Sequence, residues 1–285
     1  MAAINWRLPV ICPAAIASFI RPLWLLVVLG FATVACGASL VDNFDYATPS
    51  VITEKSDRKD SNNANWWLSS GAYVQSANGY LHTVQGKLKS TDRFRGLYAA
   101  SNPTDTDNGY YPQNLLRLVT QAKFTNFSQQ VFFNISQINQ SSSPNRNQSN
   151  GVFFFHRYQD SNNLYYVGIR VDGYAVVKKK IAGHYSFLKS VVVYPGQYHP
   201  VTQPNLLPIH RWIGIKTELA SNVRNGVDII LYLNDPQFGS GWTKILQVED
   251  NGANGERIMH EGYAGIRSDF MDVSFDAYEA VENTK

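Results

Sequence analysis

The chain has 285 residues, of which 13% are aromatic and only 16% are charged, and its formal net charge is +3. This composition is typical of secreted β-rich proteins and argues against a helical cytosolic enzyme. The small net charge gives no indication of a nucleic-acid partner, and we expect none.

The N-terminus has the pattern of a secretory signal peptide. Arg7 and Arg21 are its only charged side chains, and the apolar run 23–35 has the length of a signal-peptide core. This run is too short for a comfortable membrane span, which needs about 20 residues. We therefore predict a signal peptide over 1–38 and a mature domain over 39–285.

The sequence TVAC, which ends at Cys36, loosely resembles the lipobox of bacterial lipoproteins. Two alternatives follow: cleavage near Ala38 or Ser39, which would release the protein, or a lipid anchor on Cys36 at the outer membrane. Either way we expect a protein that is secreted or lies at the cell surface or in the periplasm. Because Cys12 and Cys36 both precede the mature domain, that domain has no disulfide and no thiolate metal site.

Beyond residue 38, apolar and polar residues alternate in many short segments that are separated by turn-forming residues, and no stretch has a sustained helical period. Many such strands with short connections predict an all-β fold, an antiparallel β-sandwich or jelly roll in a single domain. The predicted strands are 79–84, 115–124, 130–138, 151–159, 164–171, 174–181, 211–219, 226–235, 242–250, 262–268 and 272–281.

Two polar loops, 103–114 and 139–150, interrupt the strands. Four N-x-Ser/Thr sequons begin at Asn126, Asn134, Asn139 and Asn147. In a eukaryotic secreted protein they would be glycan acceptors, whereas in a bacterial protein they are polar loop composition, and the lipobox-like sequence favours the latter.

Residues 151–185, GVFFFHRYQDSNNLYYVGIRVDGYAVVKKKIAGHY, resemble the concanavalin A-like and laminin G-like jelly-roll domains of secreted bacterial sugar-active proteins. The segments HRWIGIKTELA…GVDIILYLND (210–235) and GYAGIRSDFMDVSFDAYEAVE (262–282) are similar to paired strands and to the closing strand of that superfamily. The resemblance covers roughly residues 40–283. It implies the fold but leaves the function open, because this fold is shared by lectins, adhesion modules, hydrolases and lyases.

The resemblance implies recognition or processing of an extracellular polysaccharide. The jelly-roll glucanases carry an E-x-D-x-x-E triad of carboxylates for glycoside hydrolysis, and no such triplet occurs in this chain. Since no catalytic motif is complete, a carbohydrate-binding domain is favoured. The alternatives are a lyase that cleaves a uronate-containing, alginate-like polymer by β-elimination, and a structural or adhesion protein.

Strand alternation places cationic and aromatic side chains on one face of several predicted strands. An anionic polysaccharide needs such a face, because Arg binds a carboxylate through two hydrogen bonds and aromatic rings stack on sugars. In the lysine run, Lys178 and Lys180 share a face and Lys179 lies opposite; exposed lysines also prevent edge-to-edge strand pairing. The predicted ligand-binding residues are Gln121, Lys123, Tyr158, Arg170, Lys178 and Lys180.

The lyase alternative rests on a weaker resemblance to jelly-roll alginate lyases, which use an Arg, a Gln-x-His pair and a Tyr. RLVTQ (117–121) and FFHRY (154–158) stand in comparable places, but the R-x-E-L-R, Q-I-H and Y-x-K-A-G-x-Y-x-Q motifs of that family are absent. The candidate catalytic residues are Arg117, His156, Tyr166 and Tyr185. For His156 the alternative is a residue packed within its strand.

Three carboxylates, Asp42, Asp45 and Asp276, would meet if the first and last strands pair. Oxygen ligands of this kind suit a structural Ca²⁺ ion. The alternative is that they cap turns through hydrogen bonds.

Overall fold

A computed structural model describes residues 37–283 as two antiparallel sheets that pack face to face. The predicted all-β sandwich in a single domain is therefore confirmed. Among the described residues, no helix is long and apolar enough to cross a membrane. Residues 1–36, which include Cys36 and most of the predicted signal peptide, lie outside the described residues.

Sixteen strands make up the two sheets of residues 37–283. They are β1 (Ser39–Asp42), β2 (Val51–Thr53), β3 (Trp66–Ser70), β4 (Tyr73–Ala77), β5 (Tyr80–Thr83), β6 (Leu115–Phe124), β7 (Phe127–Ile138), β8 (Gly151–Asp160), β9 (Asn163–Arg170), β10 (Tyr174–Ile181), β11 (His184–Val192), β12 (Trp212–Ser221), β13 (Val227–Asn234), β14 (Thr243–Asp250), β15 (Gly262–Asp269) and β16 (Met271–Glu282). Helix α1 (Arg93–Ser101) and the 3-10 turns Arg58–Asp60, Pro112–Asn114 and Pro236–Phe238 lie in the connections.

Sheet A has the order β14-β13-β12-β7-β16-β5-β4-β2, and β1 pairs with β16 beside this path. Sheet B has the order β11-β10-β9-β8-β15-β6-β3. The opening and closing strands pair, since Asp42 of β1 lies in register with Tyr278 of β16. Successive strands thus cross repeatedly between the two sheets.

Most strands bury alternate side chains between the sheets, as their apolar and polar alternation predicts. Sheet A contributes Phe133, Ile215 and Leu231 to this interior, and sheet B contributes Phe154 and Val167. Each such side chain stabilises the fold by roughly 1.5–3 kcal/mol relative to exposure in water. The opposite face of each sheet is left for other roles.

The lysine run of β10 divides as its alternation predicts. Lys179 points into the interior, where its fully buried ammonium lies 2.9 Å from Asp250 Oδ2 and 2.8 Å from the carbonyl of Gly255. The hydroxyl of Tyr165 donates to the same carboxylate at 2.7 Å. Lys179 therefore joins sheet B to the end of β14 and to the loop that follows it.

We expect Lys179→Met to destabilise the domain by about 3–5 kcal/mol, because it leaves the Asp250 carboxylate buried without its cation. The adjacent Lys180 is a matched control, since its ammonium lies at the surface and donates to the carbonyl of Ser161. Lys180→Met should change stability by no more than about 0.5 kcal/mol. Denaturant unfolding measures both variants, and equal midpoints would contradict the structural role of the buried pair.

Candidate functional site

A cleft of about 530 Å³ lies on the outward face of sheet B. Ligand pockets in proteins commonly enclose about 300–1,000 Å³, so a few sugar rings fit here. Six neighbouring strands, in the order β6-β15-β8-β9-β10-β11, each contribute at least one side chain to its floor. These side chains include Arg117, Arg267, Phe153, Tyr166, Lys178 and Tyr185.

Two arginines stand side by side in this floor. Arg117 of β6 and Arg267 of β15 are register partners, and Phe153 is the partner of Arg267 on the other side. Like charges that lie directly opposite on neighbouring strands destabilise a sheet. The pair is therefore a cost to folding, and an anion between the two guanidinium groups would relieve it.

The two guanidinium groups differ in their partners. Arg267 Nε donates to Asp269 Oδ1 at 2.7 Å. Burial alone would lower the pKa of Arg267, but the Asp269 carboxylate outweighs it and the net pKa is raised. Within residues 37–283, the Arg117 guanidinium has no hydrogen-bond acceptor. Its donors are thus free to bind a ligand.

Lys178 supplies a third cation. Burial lowers the pKa of Lys178 to about 8, and the positive charges of Arg170 and Arg267 add to the effect. Its ammonium lies 5.6 Å from the centre of the Phe153 ring. In the described part of the chain it forms no salt bridge, so a bound anion would be its first ionic partner.

The two phenols of the floor have different acidities. Burial raises the pKa of Tyr166 to about 12, although Arg267 opposes this shift. Partial burial also tends to raise the pKa of Tyr185, but Arg267, Tyr166 and Lys180 outweigh it and lower the net pKa below its ordinary value. The two ring centroids are 5.8 Å apart, and the guanidinium of Arg267 lies 5.3 Å from the Tyr166 centroid.

The two predicted polar loops meet at one end of the cleft and form its wall. Ser143 Oγ and Asn145 Nδ2 both donate to Asp105 Oδ1, at 2.5 and 3.0 Å. Asp105, Asn145, Asn147, Ser149 and Asn150 face the cleft. This wall adds amide, hydroxyl and carboxylate groups to the cationic floor.

A buried carboxylate at the start of β16 holds these loops in place. Asp272 Oδ1 accepts hydrogen bonds from Gln113 Nε2 at 2.8 Å and from Asn139 Nδ2 at 2.9 Å. Asn114 then links the loops, because it accepts from Asn139 and donates to the carbonyl of Asp105. The wall is therefore fixed to the sandwich, and Asn139 is too buried to accept a glycan in the folded protein.

The structure brings four of the predicted site residues into the cleft: Arg117, Tyr166, Lys178 and Tyr185. Arg170 lies just outside, where it forms a salt bridge with Asp172 and donates to the carbonyl of Gln148. Lys180 is at the margin, with its ammonium 5.0 Å from the Tyr185 ring centre.

His156 is not a catalytic residue of the cleft, and the alternative of a residue packed within its strand is correct. His156 is fully buried between the sheets, and its Nε2 lies 2.6 Å from Thr217 Oγ1 of sheet A. A bulge at Arg157, with φ of 47°, reverses the alternation of β8, so that Phe154 and His156 point inward while Tyr158 points outward. Burial, assisted by Arg157, lowers the pKa of His156 to about 3, so it is neutral and cannot reach a ligand in the cleft.

Three other predicted ligand-binding residues, Gln121, Lys123 and Tyr158, lie on the outward face but away from the cleft. Gln121 Oε1 accepts from Arg58 at 2.8 Å, and Lys123 forms a salt bridge with Glu261. The ring of Tyr158 stacks on Phe155 with centroids 5.4 Å apart. Neighbouring loops and side chains therefore occupy this half of the face.

The predicted calcium ligands do not come together. Asp42 is buried and accepts hydrogen bonds from Trp66 Nε1 at 2.8 Å and from the Tyr46 hydroxyl at 2.6 Å. Asp45 and Asp276 remain near each other, and burial followed by the Asp45 charge raises the pKa of Asp276. Among the described residues, no group of three or more acidic, His or Cys side chains is arranged to hold a metal ion.

Sequence reasoning missed Arg267. The signal was present, because in GYAGIRS the apolar Ala264 and Ile266 alternate with Tyr263, Gly265 and Arg267. Alternation alone therefore places Arg267 on an outward face. Alternation does not predict that β15 lies between β6 and β8. This position makes Arg267 the neighbour of Arg117.

No protein-family model matches this chain, and no curated protein sequence is similar to it. Several solved structures resemble it at low identity. They include carbohydrate-binding module CBM66 from Bacillus subtilis, with 11% identity over 78% of this chain and 98% of that chain and a TM-score of 0.48. A β-1,3-1,4-glucanase from a mouse hindgut metagenome has 9% identity over 86% of this chain and 99% of that chain and a TM-score of 0.47.

The chain also resembles the GH43 BlXynB protein from Bacillus licheniformis, with 13% identity and a TM-score of 0.43. That similarity covers 85% of this chain but only 39% of the other. At these identities and TM-scores, the residues of the cleft, and not the similarities, support the function proposed below.

We expect the side chain of Lys178 to titrate near pH 8. Arg267→Met should raise the pKa of Lys178 toward its ordinary value, because it removes a neighbouring positive charge. Nuclear magnetic resonance of isotope-labelled lysine side chains measures this pKa, with Lys178→Arg to assign the signal. Lys123→Met, which removes a cation outside the cleft, should leave the pKa of Lys178 unchanged. A Lys178 signal that titrates like an exposed lysine would contradict the geometry.

Proposed function

We propose that the cleft on sheet B binds an extracellular polysaccharide that carries carboxylate groups, such as a polyuronate. The observation that carries this proposal is the juxtaposition of Arg117 and Arg267, with Lys178 on the same floor. Arg117 and Lys178 have no acidic partner within the described residues, so the cluster has positive charge to spare.

The chemistry of each group supports a carboxylate ligand. Guanidinium groups bind carboxylates through paired, charge-assisted hydrogen bonds of defined direction. The rings of Tyr166 and Tyr185 offer apolar area with a polar tip, which suits the mixed surface of a sugar. The amides and hydroxyls of the wall are available for sugar hydroxyls.

The pattern of a secretory signal peptide supports an extracellular ligand, since polyuronates are extracellular polymers. The open form of the site supports a polymer rather than a small metabolite, because its floor extends across six adjacent strands.

We expect Arg117→Ala and Arg267→Ala each to weaken binding of polygalacturonate or alginate by at least roughly tenfold, since charge-assisted hydrogen bonds contribute about 1.5–3 kcal/mol. Retardation in native gels that contain the polymer measures the affinity. Lys123→Ala is the matched control, because it removes one cation from the same sheet face outside the cleft. Equal losses in all three variants would indicate unspecific attraction to basic surface and would overturn the assignment of the cleft.

A second candidate function is cleavage of the bound polyuronate by β-elimination, and one observation favours it. Tyr185 has a lowered pKa and the adjacent Tyr166 a raised one. Two neighbouring groups whose environments separate their pKa values are suited to act as base and acid.

In this reaction the Tyr185 phenolate takes the C5 proton of the uronate ring. The released electron pair forms the C4–C5 double bond, the C4–O glycosidic bond breaks, and the leaving oxygen takes a proton from Tyr166. Arg117 and Arg267 stabilise the negative charge that develops on the carboxylate. The buried His156 has no part in it.

If the cleft is catalytic, incubation with alginate, glucuronan or polygalacturonate produces unsaturated products that absorb in the ultraviolet. Tyr185→Phe should abolish this absorbance while polymer retardation in gels persists, because it removes the base and keeps the ring. Tyr174→Phe, which changes an exposed tyrosine of β10 outside the cleft, should retain the activity. If no polymer gives absorbance, the lyase function is rejected and the binding function is unaffected.

A further inference from the structure

A cluster of aromatic rings lies on the outward face of sheet A, on the opposite side of the molecule from the cleft. Tyr80 and Trp212 have ring centroids 4.9 Å apart, and Phe132 and Trp242 have centroids 5.7 Å apart. All four side chains are half-buried, so part of each ring is accessible. We name these four residues the aromatic patch.

Gly214 of β12 holds two of these rings against the sheet. A Cβ atom at this position would lie 2.8 Å from Trp242 Cη2 and 3.0 Å from Phe132 Cε1. Both rings therefore rest directly on the backbone of Gly214, and a larger residue would displace them. Rings that are supported from below in this way are fixed in place before a ligand binds, which reduces the entropy lost on binding.

Each half of the aromatic patch has a free amide beside it. Asn134 is the register partner of Trp212, and Asn234 is the register partner of Gly214. In the part of the chain that the structure describes, neither side-chain amide forms a hydrogen bond. Amides both donate and accept, as sugar hydroxyls do, whereas an apolar protein surface would bury them unpaired at a cost of about 1–3 kcal/mol each.

Charges of both signs border the aromatic patch. Asp276 is the register partner of Phe132, and Asp45 lies close enough to influence it. Lys216 lies two residues beyond Gly214 on the same face and forms a salt bridge with Glu218 at 3.0 Å, and Lys244 lies two residues beyond Trp242. The carboxylates would accept hydrogen bonds from neutral hydroxyls, and the mixed charge gives no preference for an anionic ligand.

We propose that the aromatic patch is a second carbohydrate site, which binds uncharged polysaccharide chains. The apolar faces of their pyranose rings stack on Trp212 and Trp242, and Asn134 and Asn234 bind the hydroxyls. This site is independent of the function proposed for the cleft, because it uses the other sheet and different residues.

The test uses native gels of the full chain that contain hydroxyethylcellulose, an uncharged β-linked polymer, or polygalacturonate. We expect hydroxyethylcellulose to retard the wild type, and Trp212→Ala and Trp242→Ala each to weaken this retardation roughly tenfold in apparent affinity. Arg267→Ala in the cleft should leave it unchanged, and the two Trp variants should retain retardation by polygalacturonate. Tyr174→Ala is the control for loss of an exposed aromatic ring on the other sheet.

Several results would overturn this proposal. It is rejected if hydroxyethylcellulose does not retard the wild type, or if it retards the wild type and all variants equally.

Because Asn134 begins a sequon, mass spectrometry of the purified protein is included, and a glycan at Asn134 would show that the chain's own sugar covers the rings. Sedimentation of the wild type as a dimer, reverting to monomer in Trp212→Ala, would instead assign the aromatic patch to self-association. Thermal unfolding of each variant confirms that it is folded, and Trp242, which precedes β14, provides a second substitution if Trp212→Ala is unstable.

Discussion

The interior between the two sheets accepts every second side chain of most strands, and this alternation governs the placement of the groups that form the cleft. Apolar residues fill most of the interior, and the cations and phenols of the cleft lie on the outward face of sheet B. Lys179 is the instructive exception, because it enters the interior with its charge and is satisfied there by Asp250, Tyr165 and the carbonyl of Gly255. A run of three lysines thus contains one structural residue between two outward-facing ones.

Crowding of cations on sheet B is energetically unfavourable for the isolated protein, and the fold compensates for it incompletely. Asp269 neutralises Arg267, and burial near other cations lowers the pKa of Lys178. Arg117 receives no such compensation among the described residues. This unmatched positive charge is the basis of the proposal that the cleft binds an anionic ligand.

The two outward faces differ in chemistry although they belong to one sandwich. Sheet B presents cations beneath a polar wall that Asp272 anchors, and sheet A presents aromatic rings bordered by charges of both signs. The two proposed sites would let one domain contact a charged and an uncharged polymer at once.

By itself, the sequence determined the fold class, most strand positions and the face on which Arg117, Tyr166, Lys178 and Lys179 lie, because side-chain alternation is a local property of a strand. It misplaced His156, because alternation groups side chains by face but does not decide which face is interior, and the bulge at Arg157 turns Tyr158 to the opposite face from His156. Only the tertiary structure decided that β15 lies between β6 and β8 and thereby sets Arg267 beside Arg117. It also gathered Phe132 and Trp242 over Gly214, because strand order depends on how distant segments share one interior, and no local pattern encodes that.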